Sequence, residues 1–149
     1  MKNKNYIIKV EGISAPNSNN TEFIKTTTKG NYFFNGKNAV ITYNEPDTTG
    51  FENCNTIITI HSNKKLEIKR YGKFKSIMTI ENNKRNICNY KTSYGDFLLG
   101  VTGKAFNINL YKNSCNLTIC YELDINNSLL HLNKVIIKCN KLHAPTKQH

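Results

Sequence analysis

From Cys115 to Asp124 the chain reads Cys-Asn-Leu-Thr-Ile-Cys-Tyr-Glu-Leu-Asp, with apolar and polar residues taking turns. Successive side chains of a β-strand point to opposite faces. Cys115, Leu117, Ile119, Tyr121 and Leu123 therefore share one face, and Asn116, Thr118, Cys120, Glu122 and Asp124 the other. A helix, with its period of about 3.6 residues, could not bury such a set on one side. The period recurs along the chain. Phe106, Ile108 and Leu110 alternate with Asn107 and Asn109, and Leu66, Ile68 and Arg70 share a face opposite Glu67, Lys69 and Tyr71. Phe74, Ser76, Met78 and Ile80 continue one apolar side after Gly72.

Further strands are expected over 5–13, 21–34, 38–45, 56–61 and 130–139, where Thr, Ile, Val, Phe and Tyr cluster. Turns separate them. Asn35-Gly36 signals a tight hairpin, because both residue types tolerate positive φ. Ser62-Asn63-Lys64, Asn82-Asn83, Lys112-Asn113 and Asn126-Asn127-Ser128 are turn clusters, while 14–20 and 46–55 read as loops. Gly30 marks a bend or bulge inside its strand. No segment carries a sustained helical period with caps. Short strands separated by turns predict an all-β fold of about eight to ten antiparallel strands, a sandwich or a barrel. A barrel of about eight strands is either just filled or holds one small ligand.

The 149 residues suffice for one domain, read as 1–140 with a polar tail over 141–149. The net charge of +11 attracts anionic partners without naming one. The apolar run near the N-terminus is only Tyr6, Ile7 and Ile8, too short for a secretory signal or a membrane span. Five cysteines, at 54, 88, 115, 120 and 139, form no Cys-x-x-Cys pair, which predicts reduced thiols in a cytoplasmic protein and no metal site.

Thr28-x-Gly30-x-Tyr32, Tyr43-x-Glu45, Arg70-x-Gly72, Met78 and Tyr90-x-Thr92-x-Tyr94-Gly95 occur in that order. Over about Tyr6 to Cys139 this pattern resembles the YwiB-like family of small β-barrel proteins from low-GC Gram-positive bacteria. The resemblance implies a single antiparallel calycin-like, lipocalin-type barrel. Calycins often carry small apolar ligands inside the barrel; this family brings no assigned activity.

Charges on apolar strand faces are the candidate chemistry. Arg70 shares its face with Leu66 and Ile68, and Glu45 shares its face with Ile41 and Tyr43. An unpaired buried charge is costly, so the two are expected to meet inside the barrel, directly or through Tyr43, Tyr90, Thr92 or Tyr94. The bland role is a structural ion pair. The functional role makes Arg70 the anchor of a carboxylate or phosphate headgroup, with the tyrosines flanking the ligand. On the opposite face, Lys69, Tyr71, Lys73 and Lys75 form a basic row with an aromatic residue, an alternative nucleic-acid surface. No RNP-like aromatic signature accompanies it, and charged strand residues commonly protect edges.

Enzyme motifs are missing. Gly100-Val101-Thr102-Gly103-Lys104 departs from a phosphate-binding loop at Leu98 and Ala105, and fits a strand bend better. The histidines show no ligand spacing, and Cys88 on the inward face reads as a small hydrophobe. The expectation is a small-molecule-binding barrel with no catalytic residues, no metal and no cofactor. The alternatives are a nucleic-acid or ribonucleoprotein accessory protein and a filled barrel acting through protein partners.

Overall fold

The computed structural model describes residues 4–16, 22–45, 54–72, 75–92, 95–125 and 128–142. They form ten strands: β1 (Tyr6–Pro16), β2 (Glu22–Phe34), β3 (Ala39–Asn44), β4 (Cys54–Ser62), β5 (Lys65–Gly72), β6 (Ser76–Glu81), β7 (Arg85–Thr92), β8 (Gly95–Leu110), β9 (Ser114–Ile125) and β10 (Ser128–Lys141). No helix occurs among the described residues.

All ten strands belong to one sheet in the order β6-β5-β4-β3-β2-β1-β10-β9-β8-β7. Consecutive strands are hydrogen-bonded neighbours, except across β6 and β7, and β1 joins β10 through pairs such as Ile8↔Cys139 and Val10↔Ile137. The two edges of the sheet are β6 and β7, which are themselves consecutive in the chain. They pack against each other and are bridged at Glu81↔Lys84, where Asn83 takes a φ of 57° to turn the chain. The sheet thus curls until its edges meet. The result is a nearly closed up-and-down barrel, and the meeting of the edges limits the exposed edge backbone.

The expected alternation builds the interior. Leu66 and Ile68 of β5, Ser76 and Ile80 of β6, Cys88 of β7, and Cys115, Leu117 and Ile119 of β9 are all buried. Strand direction gives the barrel two ends. At the base, β1 begins and β10 finishes, and the chain turns at 35–38, 63–64, 82–84 and 111–113. The base half is packed by Ile8, Ile41, Ile60, Leu66, Ile80 and Ile137, each fully buried or within 1% of it. A fully buried side chain of that size contributes roughly 1.5–3 kcal/mol relative to exposure, so this layer carries much of the stability. Cys115 and Cys139 face each other across β9 and β10 beside it, linked by a thiol hydrogen bond. Tyr32 closes the base, its hydroxyl donating to Tyr111 O at 2.7 Å and its ring edge-on to Tyr6.

Several local expectations change. The Asn35-Gly36 connection is not a two-residue hairpin. Asn35 Oδ1 accepts the backbone N–H of Lys37 (2.8 Å) and of Asn38 (2.6 Å), so the side chain shapes a four-residue loop, with only Gly36 at positive φ. Gly30 makes no bulge: β2 keeps register with both neighbours there, pairing with Tyr6 and Tyr43. Its missing side chain serves packing instead, since a Cβ would collide with Thr42 O and the Ile8 side chain. The bend expected near Gly103 is a bulge between Gly103 and Ala105, which switches the inward parity of β8 from Val101 to Phe106. β1 continues into the expected 14–20 loop as far as Pro16 by pairing with β10. Of the 46–55 loop, 46–53 lie outside the described residues and Cys54 and Asn55 open β4. The expected tail begins with Lys141 in β10 and Leu142, whose N–H donates to Asn5 O at 2.7 Å; 143–149 lie outside the described residues.

Candidate binding cavity

The rim half of the barrel, opposite the packed base, is where the inward charges gather. Glu45 immediately follows β3, and its backbone N–H donates to Cys54 O at 2.9 Å, which prolongs the β3–β4 ladder by one step. That step keeps the Glu45 side chain on the inward parity of Ile41 and Tyr43, at 8% exposure. Tyr43 pairs with Thr56 and Thr56 pairs with Arg70, so three polar side chains stand in a row across β3, β4 and β5. Thr56 Oγ1 donates to Glu45 Oε2, and Arg70 Nε donates to the same oxygen at 3.4 Å. The Glu45 side chain is 3% exposed and that of Arg70 is 21% exposed. The carboxylate is therefore buried but compensated by a charge and a hydroxyl, the condition under which a buried charge is tolerated.

Tyr43 completes this group through hydrogen bonds with Glu45 and Thr56. Burial pushes its phenol well above the ordinary value, and the neighbouring Glu45 charge pushes it further. The hydroxyl stays protonated and can donate. Tyr121, inward on β9, is likewise raised by burial, with Asn133 hydrogen-bonded to it and Arg70 acting in the opposite direction. Asn133 sits directly across from Tyr121 on β10.

Above the packed base these side chains border a cavity of about 220 Å³. Its polar wall includes Ser14, Thr26, Tyr43, Glu45, Arg70, Tyr121 and Asn133; its apolar wall includes Val10, Ile68, Met78 and Val135. Such a pairing of an apolar wall with a few placed polar groups is the usual make-up of a small-molecule site. Cys88 lies on the inward face of β7 with its thiol raised by burial, and it bonds to the backbone of Ile77 across the β6–β7 seam. A thiol held protonated in this way is a poor nucleophile. Among the described residues no cluster of three His, Cys, Asp or Glu side chains could hold a metal ion.

A family model described as Domain of unknown function (DUF1934) matches residues 8–137. The chain belongs to the DUF1934 family. Among solved structures it is similar to the YwiB protein from Bacillus subtilis, with a TM-score of 0.80 and 20% sequence identity over 94% of this chain and 93% of that one. No curated protein matches it. At that identity the likeness shows a shared barrel fold, in agreement with the resemblance seen in the residues.

In this DUF1934 barrel, Arg70, Glu45 and Tyr43 come together as the sequence led us to expect. Tyr90 and Thr92 lie on β7 with their backbones opposite Phe97 and Gly95, and Tyr94 lies outside the described residues. Lys69, Tyr71 and Lys75 border a depression on the outer wall beside the seam, together with Ile77 and Ile87; Lys73 lies outside the described residues. Lys69 is engaged with Glu67 at 3.4 Å. Sequence reasoning passed over Thr56 and Asn133. Thr56 shares its parity with Ile58 and Ile60, and Asn133 with Val135 and Ile137, so alternation would have placed both inside. It also passed over the pair on the outer wall, where Arg85 donates to both oxygens of Asp124, at 2.9 and 2.7 Å, across β7, β8 and β9.

Proposed function

We propose that this DUF1934 barrel binds a small organic molecule in the rim half of its interior and does not catalyse a reaction. One observation carries the reading: a core packed at the base gives way to an unfilled cavity of about 220 Å³ whose wall holds a bonded Arg70–Glu45–Thr56–Tyr43 group. A barrel that needed only stability gains nothing from this arrangement. Replacing a buried ion pair by well-packed apolar residues is often neutral or stabilising, and filling the space would add buried area. The likeness of an up-and-down barrel to calycins, which often hold small ligands inside, supports the reading as an analogy. Five free thiols support a cytoplasmic setting.

Native mass spectrometry of untagged protein, purified without denaturation, tests the proposal. The expected result is a subpopulation carrying a small added mass, which Val135→Phe abolishes by filling the cavity while the variant stays folded. A bare mass in both proteins, under conditions that preserve a known protein–ligand complex, would refute it.

A further inference from the structure

The cavity wall contains one unsatisfied group. Asn133 Oδ1 is buried and, among the described residues, has no hydrogen-bond partner. Its amide is already engaged with the Tyr121 hydroxyl across the β9–β10 ladder. A buried acceptor without a donor forfeits free energy that a suitable partner restores. Water can supply donors, but an ordered water needs two to four polar partners. Ser14, Thr26, Tyr43, Glu45, Arg70 and Tyr121 offer such partners along part of the lining, but Val10, Ile68, Met78 and Val135 line the rest, where a water would find none. An occupant with an apolar body and one donor fits the wall better than a chain of waters.

Charge narrows the class further. Arg70 and Glu45 are the charged side chains deep in the lining, and they are paired with each other. Lys134, the remaining charged residue of the lining, is exposed. The pair is neutral overall, so it offers no uncompensated countercharge to an ion of either sign, and the apolar wall would strip such an ion of its water. Size sets the scale of the part held inside, since the cavity is open on one side. An apolar cavity of roughly 150 Å³ accommodates benzene, and this one is about 220 Å³.

Resting on the binding reading above, we propose that the occupant is an uncharged molecule of about one ring with a short substituent, bearing an O–H or N–H group that donates to Asn133 Oδ1. Asn133 then determines specificity, and the Arg70–Glu45 pair excludes charged analogues instead of anchoring an anionic headgroup.

Titration of the isotope-labelled full chain with toluene, anisole, p-cresol and p-toluate, followed by NMR, decides the matter. These probes share a ring and differ in offering no polar group, an acceptor only, a donor, and a negative charge. The expected ranking places p-cresol about tenfold tighter than anisole and tighter still than p-toluate, as one restored buried hydrogen bond implies. Asn133→Val is expected to bring p-cresol down to the level of anisole and to leave toluene unchanged or improved. Equal binding of anisole and p-cresol, or strongest binding of p-toluate, overturns the donor proposal while leaving a binding cavity in place. Absence of binding by all four overturns both. The wild-type ranking is sufficient by itself if the variant does not fold.

Discussion

Arg70 Nε lies 3.4 Å from Glu45 Oε2, joining β5 to the end of β3 over the intervening Thr56 of β4. Two charges 25 residues apart in the chain thus neutralise each other at the wall of a cavity. Arg70→Met leaves the Glu45 carboxylate buried with hydroxyl partners alone. Losing one partner of a fully buried pair typically costs roughly 3–5 kcal/mol. Because Arg70 is 21% exposed, we expect about 2 kcal/mol here. Arg70→Met/Glu45→Gln removes both charges and should return to within about 1 kcal/mol of wild type. Urea denaturation of the three proteins checks this; a single variant as stable as wild type would show that the pair is not coupled.

Gly30→Ala is expected to destabilise the barrel by about 1–3 kcal/mol, the usual cost of overpacking. The added methyl meets Thr42 O, which the β2–β3 ladder fixes, as well as Ile8 and Tyr43. Thermal unfolding measures the loss. An unchanged midpoint would mean that β2 can shift there.

Stability should fall in alkali. Burial first raises the phenols of Tyr32, Tyr43 and Tyr121 above their usual 10.0, and Cys88 and Cys115 stand above 9.0, Cys115 through its bond to Cys139 and Cys88 through burial. In each case the folded group holds its proton to higher pH than the unfolded one. Their contribution is therefore complete below the unfolded values and declines as pH climbs beyond them. Urea midpoints from pH 7 to 11 should begin to drop near pH 9 and fall more steeply past 10. A flat profile would contradict the burial of these groups.

Native alkylation should distinguish the thiols. Cys54, Cys88, Cys115 and Cys139 are at most 3% exposed, whereas Cys120 lies on the outer face of β9 and is partly exposed. Mass spectrometry is expected to find one quickly modified site, Cys120, in native protein and five in urea. Rapid native labelling of Cys115 would indicate an opening of the base.

Alternation made much of this fold legible. A period of two read from Leu66, Ile68 and Arg70 or from Cys115, Leu117 and Ile119 requires no knowledge of partners, and it assigned these residues to the interior. It also brought Arg70 and Glu45 together, because a lone charge on an apolar face needs a countercharge. What alternation cannot convey is depth along the barrel axis. The packing of Ile60 and Leu66 at the base and the space beside Met78 depend on pairing registers fixed by long-range contacts. Turn chemistry was similarly hidden at Asn35, where one side-chain oxygen overrode a strong two-residue signal. Asn133 was within reach of the same parity rule; its unsatisfied oxygen was not, because that depends on what lies across the interior.

A crystal structure of protein taken from its own cells without denaturation, at a resolution that shows ordered water, would reveal what occupies the rim half of the barrel. Continuous density for an organic molecule is expected, extending from Asn133 Oδ1 along Val135 and Met78 beside the Arg70–Glu45 pair. Separate waters on each polar atom, or side chains collapsed into the space, would contradict the binding reading.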